Sequence, residues 1–157
     1  MDGLLAAAFD AVASQDLDGM RAAMAACDGP VQRLAAFFST YARADQEWTF
    51  QLWLDAWSEA ARRPAVRETS RRQNVAWQQL LAGTIRAGNE HHAMSCPDPE
   101  AAAWRILSLL DGLVLQTVAH RLSIGRDVVV PWAIAYAKTE LGMPAGSVTA
   151  DRASAGS

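Results

Sequence analysis

Apolar residues recur along this chain at spacings of three and four, the period of helices buried on one side, and hardly anywhere in strict alternation. Val128-Val129-Val130 is the one strand-like run, and Pro131 cuts it short. Leu4 to about Ala26 reads as one long helix, or as two if Asp16-Leu17-Asp18-Gly19 breaks it. Asp28-Gly29-Pro30 sets a cap-capable residue just ahead of a proline suited to a first helical turn. From Pro30 to Arg43, the residues Val31, Leu34, Ala35, Phe38 and Tyr41 share one stripe. Asp45 is placed to cap the following helix, which Pro64 ends. Ala65 to Ala87 makes a long helix stopped by Gly88-Asn89, and Glu90 to Pro97 a loop. Asp98-Pro99-Glu100 combines a cap, a proline and an acid at the positive end of the helix dipole, and opens a helix reaching about Arg121. A last helix covers Pro131 to Leu141 and stops at Gly142. The expected architecture is all-α: a single-domain bundle of six or seven helices over residues 1–142, with no internal repeat. Residues 143–157, small and polar, are expected to form a disordered tail.

Composition narrows the class. The chain has 157 residues, 51% of them hydrophobic and 20% charged, ordinary values for a globular domain large enough to hold a full core. Asp2 stands where a secretory signal would carry positive charge, and no segment reads as a membrane span. Cys27 and Cys96 read as free thiols, so the expected location is cytoplasmic and no membrane partner is expected. Net charge is −3, and the densest basic group, Arg62, Arg63, Arg67, Arg71 and Arg72, is interleaved with Glu59 and Glu68. It reads as a solvated helix face rather than a phosphate-binding surface, so direct DNA binding by these residues is not expected.

Catalytic and cofactor signals are weak. His91-His92 with Glu90 and Cys96 lacks metal-ligand spacing and reads as an exposed polar loop, so no metal is expected. The glycines are scattered and look like helix stops or turns, with no phosphate-binding loop. No serine or cysteine has a base beside it in sequence. Neither an enzyme nor a cofactor is expected.

Binding signals are stronger. In Gln46–Pro64, at 100° per residue, Phe50, Trp53, Leu54, Trp57 and Ala61 share one face, while Trp48 and Leu52 fall opposite, beside Gln51, Asp55 and Glu59. Such tryptophans suit a packed core and an apolar ligand cavity equally. Asp55, Glu59 or Asp111 beside aromatic walls is compatible with a flat or cationic compound as well as with a plain lipophile. In the next helix Val66, Ser70, Gln73, Trp77, Leu81 and Thr84 form a stripe in which Gln73 either orients a ligand or sits at a wet core margin. The Pro99–Arg121 helix is apolar all round, which demands burial on more than one side. Asp111, Gln116 and His120 interrupt it. Gln116 and His120, spaced i, i+4 beside Leu109 and Leu113, suit a face that meets another helix across an interface.

The runs WLDAWSEAARRP, VAWQQLLAGTIRAG and DPEAAAWRILSLLDGLVLQTV, in that order, resemble the C-terminal regulatory domain of TetR-family transcriptional repressors, of the BetI type. The resemblance covers about Leu4 to Leu141. It implies a small apolar or aromatic effector held among Phe37, Tyr41, Trp53, Trp57, Gln73, Trp77 and Trp104. It also implies a homodimer in which the last two helices, carrying Leu109, Leu113, Gln116, His120, Trp132 and Tyr136, pair as a four-helix bundle. In such repressors effector binding alters the spacing of two helix-turn-helix heads on DNA. Here Met1-Asp2-Gly3-Leu4-Leu5 reads as the start of the helix after that head. The expectation is therefore either a piece of a repressor or a headless relative, in which DNA is reached only through a head that these residues do not supply. The alternative function is a headless interaction module that homodimerises, or pairs with a full-length regulator, without a small molecule.

Overall fold

The computed structural model describes residues 2–43, 47–120 and 124–144, and within them every regular element is an α-helix. Six helices follow in order: α1 (Asp2–Ala25), α2 (Pro30–Ala42), α3 (Glu47–Ala60), α4 (Pro64–Glu90), α5 (Pro99–His120) and α6 (Arg126–Glu140). α4 is the central post, packed against α1, α2, α3 and α5, while α6 closes the bundle against α5 and α2. The proposed caps at Asp45 and the helix end at Arg121 lie outside the described residues, as do positions 145–157 of the tail.

α1 runs unbroken through Asp16–Gly19. Ala6, Phe9, Ala13, Leu17, Met20 and Met24 are all buried and keep the three-and-four spacing across that tetrad. Their burial outweighs the roughly 1 kcal/mol that an interior glycine costs. In α2 the buried stripe is Leu34, Phe37, Phe38 and Tyr41, and Gly29 rather than Asp28 takes the cap position. At α5 Asp98 does cap the helix, its Oδ1 accepting the Ala101 N–H at 3.0 Å. In the arginine cluster Arg63 pairs with Glu59 at 2.6 Å and Arg71 with Glu68 at 2.6 Å, as their spacing suggests, whereas Arg72 reaches across to Asp10 of α1 at 3.0 Å.

Three sequence expectations need correction. Val128-Val129-Val130 is helical, and α6 begins at Arg126, ahead of Pro131. Valine loses only a few tenths of a kcal/mol in a helix, whereas Val129 and Val130 are fully buried, worth about 1.5–3 kcal/mol each. Pro131 removes one backbone hydrogen bond near the start of the helix, which that burial outweighs. Second, α4 continues past Gly88 to Glu90, and Gly19, Gly83 and Gly112 also lie inside helices rather than at stops. Gly88 is buried because Met94 folds back over it, leaving no room for a Cβ, and the chain turns at His92, whose φ is 55°. Third, α5 from Pro99 to Ala119 is long and apolar enough to cross a bilayer by length and composition. Its Ala102, Ala103, Ile106, Leu107, Leu110 and Val114 are buried within the bundle instead.

The α4–α5 loop is latched to the end of α6. Ser95 donates its N–H to the Leu141 carbonyl at 2.8 Å, and Asn89 holds Cys96 from both sides, at 2.7 and 3.0 Å. Gly142 follows with φ of 58°, and a Cβ there would lie 2.9 Å from the Ser95 carbonyl oxygen. Gly142→Ala is therefore expected to destabilise the fold by on the order of 2 kcal/mol in urea denaturation. A loss below about 0.5 kcal/mol would show that this turn opens freely. Met143, counted with the tail in sequence, is buried beside the latch, its N–H donating to the Lys138 carbonyl at 2.9 Å.

Candidate functional site

Helices α1 to α5 converge on a cavity with about 50 Å³ of free space. α3 supplies Phe50, Trp53, Leu54 and Trp57, the face that helical spacing groups together. α4 adds Asn74 and Trp77; α5 adds Leu107, Asp111, Val114 and Leu115; α2 adds Thr40 and Tyr41; and α1 adds Asp16. The rings form two linked runs. Phe9 meets Trp53 edge-on at 5.1 Å, and Trp53 meets Trp57 at 5.8 Å. Phe50 stacks on Tyr41 at 5.5 Å, Tyr41 touches Phe37 at 5.5 Å, and Phe37 meets Trp77 at 6.2 Å. Each pair adds about 0.5–1.5 kcal/mol beyond its buried area, so the walls are rigid where rings interlock. Fifty cubic ångströms holds a few waters at roughly 10–15 Å³ each, whereas small-molecule sites usually measure about 300–1,000 Å³. A molecule of that size would fit only with side chains moved aside. Phe50, Leu54 and Trp57, all partly exposed, are the wall with room to move.

The polar groups on this wall are few and poorly compensated. Burial pushes the Asp111 carboxyl up to about 7 and raises Asp16 as well. Tyr41 is pushed well above the usual phenol range, first by burial and then by the nearby Asp111 and Asp16. No hydrogen bond or ion pair among the described residues reaches Asp16 or Asp111. The indole Nε1 of Trp77 is likewise buried without a partner. An unpaired buried polar group costs about 1–3 kcal/mol, so each such group in a native fold calls for an explanation.

The structure brings Tyr41, Trp53, Trp57 and Trp77 together on the wall. Phe37 stands behind Tyr41 and Trp77 rather than on the cavity. Gln73 is buried but faces α1, its Nε2 donating to Asp10 Oδ1 at 2.6 Å and to Ser14 Oγ at 2.8 Å. That bond, with a second from Arg72, holds Asp10 below the usual carboxylate range. Trp104 points out of the bundle at 43% exposure, one residue past the inward-facing Ala103. Asp55 and Glu59 are not on the cavity either: Asp55 accepts from Gln51 at 3.0 Å and Glu59 is held by Arg63. Asp16, like Thr40 and Asn74, is a wall residue that sequence reasoning passed over. Its signal was its position, three residues after Ala13 and four before Met20, an acid beside a core stripe.

The outer face of α5 and α6 carries the other group of residues. Leu109, Leu113 and Tyr136 are partly buried, Gln116 is exposed, and Trp132 is 51% exposed. Tyr136 donates its hydroxyl to Glu140 Oε2 at 3.2 Å, and Arg105 pairs with the same glutamate. His120 ends α5, with its side chain outside the described residues. Trp48, opposite the cavity face of α3, is 61% exposed.

Comparison with known proteins agrees with this architecture. The family described as BetI-type transcriptional repressor, C-terminal, matches residues 30–142. No curated protein matches the chain. A solved structure, "The crystal structure of the putative transcriptional regulator from Pseudomonas aeruginosa PAO1", superposes with a TM-score of 0.79 at 25% identity, covering 90% of this chain and 69% of that one. The family is one of regulators rather than enzymes. With the match spanning α2 to the end of α6, the chain belongs to the BetI-type C-terminal domains of transcriptional repressors.

Proposed function

We propose that this domain senses a small molecule and dimerises, as the regulatory part of a TetR-like transcriptional repressor acting in the cytoplasm without catalysis of its own. The observation that carries the reading is the cavity among α1 to α5, where aromatic walls surround polar groups that lack partners. α5 supports a link from cavity to interface. Its Leu107, Asp111, Val114 and Leu115 line the cavity, while Leu109, Leu113 and Gln116 belong to the outer face. A ligand that shifts α5 thus shifts the surface on which a second copy would pack, and through it any DNA-reading heads joined to the pair.

Two exposed tryptophans support a homodimer through α5 and α6, since large aromatic residues left on a surface are favoured anchors of interfaces. Trp132→Glu is expected to weaken the dimer roughly 30-fold, as the loss of a tryptophan anchor of about 2 kcal/mol implies. Sedimentation velocity checks this. A wild-type chain that stays monomeric at micromolar concentration, or a variant that dimerises unchanged, sinks the interface. The small free volume favours a second reading, an interaction module without a small-molecule ligand. Tryptophan fluorescence against a set of apolar and amine compounds separates the two: a saturable change supports sensing, and a flat response across the set favours the module.

A further inference from the structure

We propose that the cavity accepts a small molecule bearing a protonated amine, with its N–H groups donating to Asp111 and Asp16 and its apolar remainder lying against Trp53, Trp57 and Trp77. The proposal rests on the effector-sensing reading and names the chemical class of that effector. Asp111 from α5 and Asp16 from α1 border the same aromatic space, and both act on the Tyr41 phenol from α2. These three are the titratable groups on the wall; α3 and α4 contribute none to it among the described residues. A cation is thus met by two acceptors and several ring faces, and by no competing positive charge. A neutral lipophile would leave both carboxyls unpaired in an even drier site. An anion would meet two groups that become negative on ionisation.

The exchange also balances charge. Below a pH of about 7 Asp111 keeps its proton, because burial disfavours the carboxylate. When an ammonium arrives, the Asp111 proton leaves to solvent and the carboxylate accepts an N–H from the ligand. The net charge of the cavity is the same before and after, and one proton is released. The Trp77 Nε1–H, nine-tenths buried and unpartnered, belongs to another residue of the same wall.

The test uses three matched probes, 2-phenylethylamine, 2-phenylethanol and phenylacetate, titrated into the full chain by tryptophan fluorescence and calorimetry. The amine is expected to bind at least tenfold more tightly than either other probe. Its affinity should rise about tenfold from pH 6 to pH 8 as Asp111 gives up its proton, an alkyl amine staying protonated throughout. Calorimetry in two buffers of different ionisation enthalpy should show about one proton released near pH 6. Asp111→Asn should abolish both the preference and the pH dependence, with thermal unfolding confirming that the variant is folded. Equal binding of amine and alcohol, or a preference for phenylacetate, overturns the amine assignment and leaves the cavity an effector site. No response to any of the three overturns the sensing reading along with it.

Discussion

Asp111→Asn is expected to stabilise the domain at pH 8 by on the order of 2–4 kcal/mol. In the folded chain the Asp111 carboxyl holds its proton up to a pH of about 7. In the unfolded chain it ionises near the ordinary aspartate value of about 3.9. The folded state therefore binds more protons than the unfolded state between those limits, and stability is lost as pH rises from about 4 to about 7. Above that range the loss is complete and constant. At about 1.4 kcal/mol per tenfold difference in proton affinity, the full effect is about 4 kcal/mol, reduced by the partial solvent contact of the side chain. Asparagine has nearly the same shape and no charge to desolvate, so its advantage should vanish at pH 4 and reach a plateau above pH 7. Urea denaturation across that range checks the sign. A variant less stable than the parent at pH 8 would show that Asp111 has a stabilising partner in the folded protein. A substitution that strengthens the fold while removing ligand preference is the usual mark of a residue kept for binding.

Phe37→Ala is expected to act in the opposite direction, costing about 3–5 kcal/mol. Phe37 is fully buried and its ring touches Phe38 at 5.6 Å, Tyr41 and Trp77. Truncation loses the transfer free energy of the ring and leaves a void that α2 and α4, held apart by their other contacts, cannot close. Because Tyr41 and Trp77 lean on Phe37 from the cavity side, their side chains should also become more mobile. The variant should then show blunted fluorescence changes as well as lower stability. A cost under about 1 kcal/mol would mean that the neighbouring rings refill the space.

These two residues show what the sequence could and could not convey. Helical spacing placed Leu34, Phe38 and Tyr41 on the core side of α2, and Phe50, Trp53, Leu54 and Trp57 on one face of α3, because a single helix fixes which side chains share a face. It could not say which of those faces closes fully. Phe37 and Gln73 are as buried as any wall residue, yet a neighbouring helix takes up their contacts: rings for one, Asp10 and Ser14 for the other. Those partners lie 59 to 63 residues away for Gln73, beyond any local pattern. Val128–Val130 misled in another way, since strand preference is a weak force beside the burial of Val129 and Val130. Asp111 was visible as an acid on an apolar helix and Asp16 only as part of a possible helix break, and their meeting at one cavity depends on how α1 and α5 lie across α4, which only the packed structure sets.

The latch at the foot of α6 gives this arrangement a mechanical character. The Ser95–Leu141 bond, the Gly142 turn and the Arg105–Glu140 pair all lie at the same end of α5 and α6. Asp111 stands roughly 9 Å along α5 from Arg105, and His120 roughly 22 Å, at about 1.5 Å per residue. Pinned at one end, α5 is a lever with its load point near the middle: any tilt that moves the Asp111 turn sweeps the far tip more than twice as far.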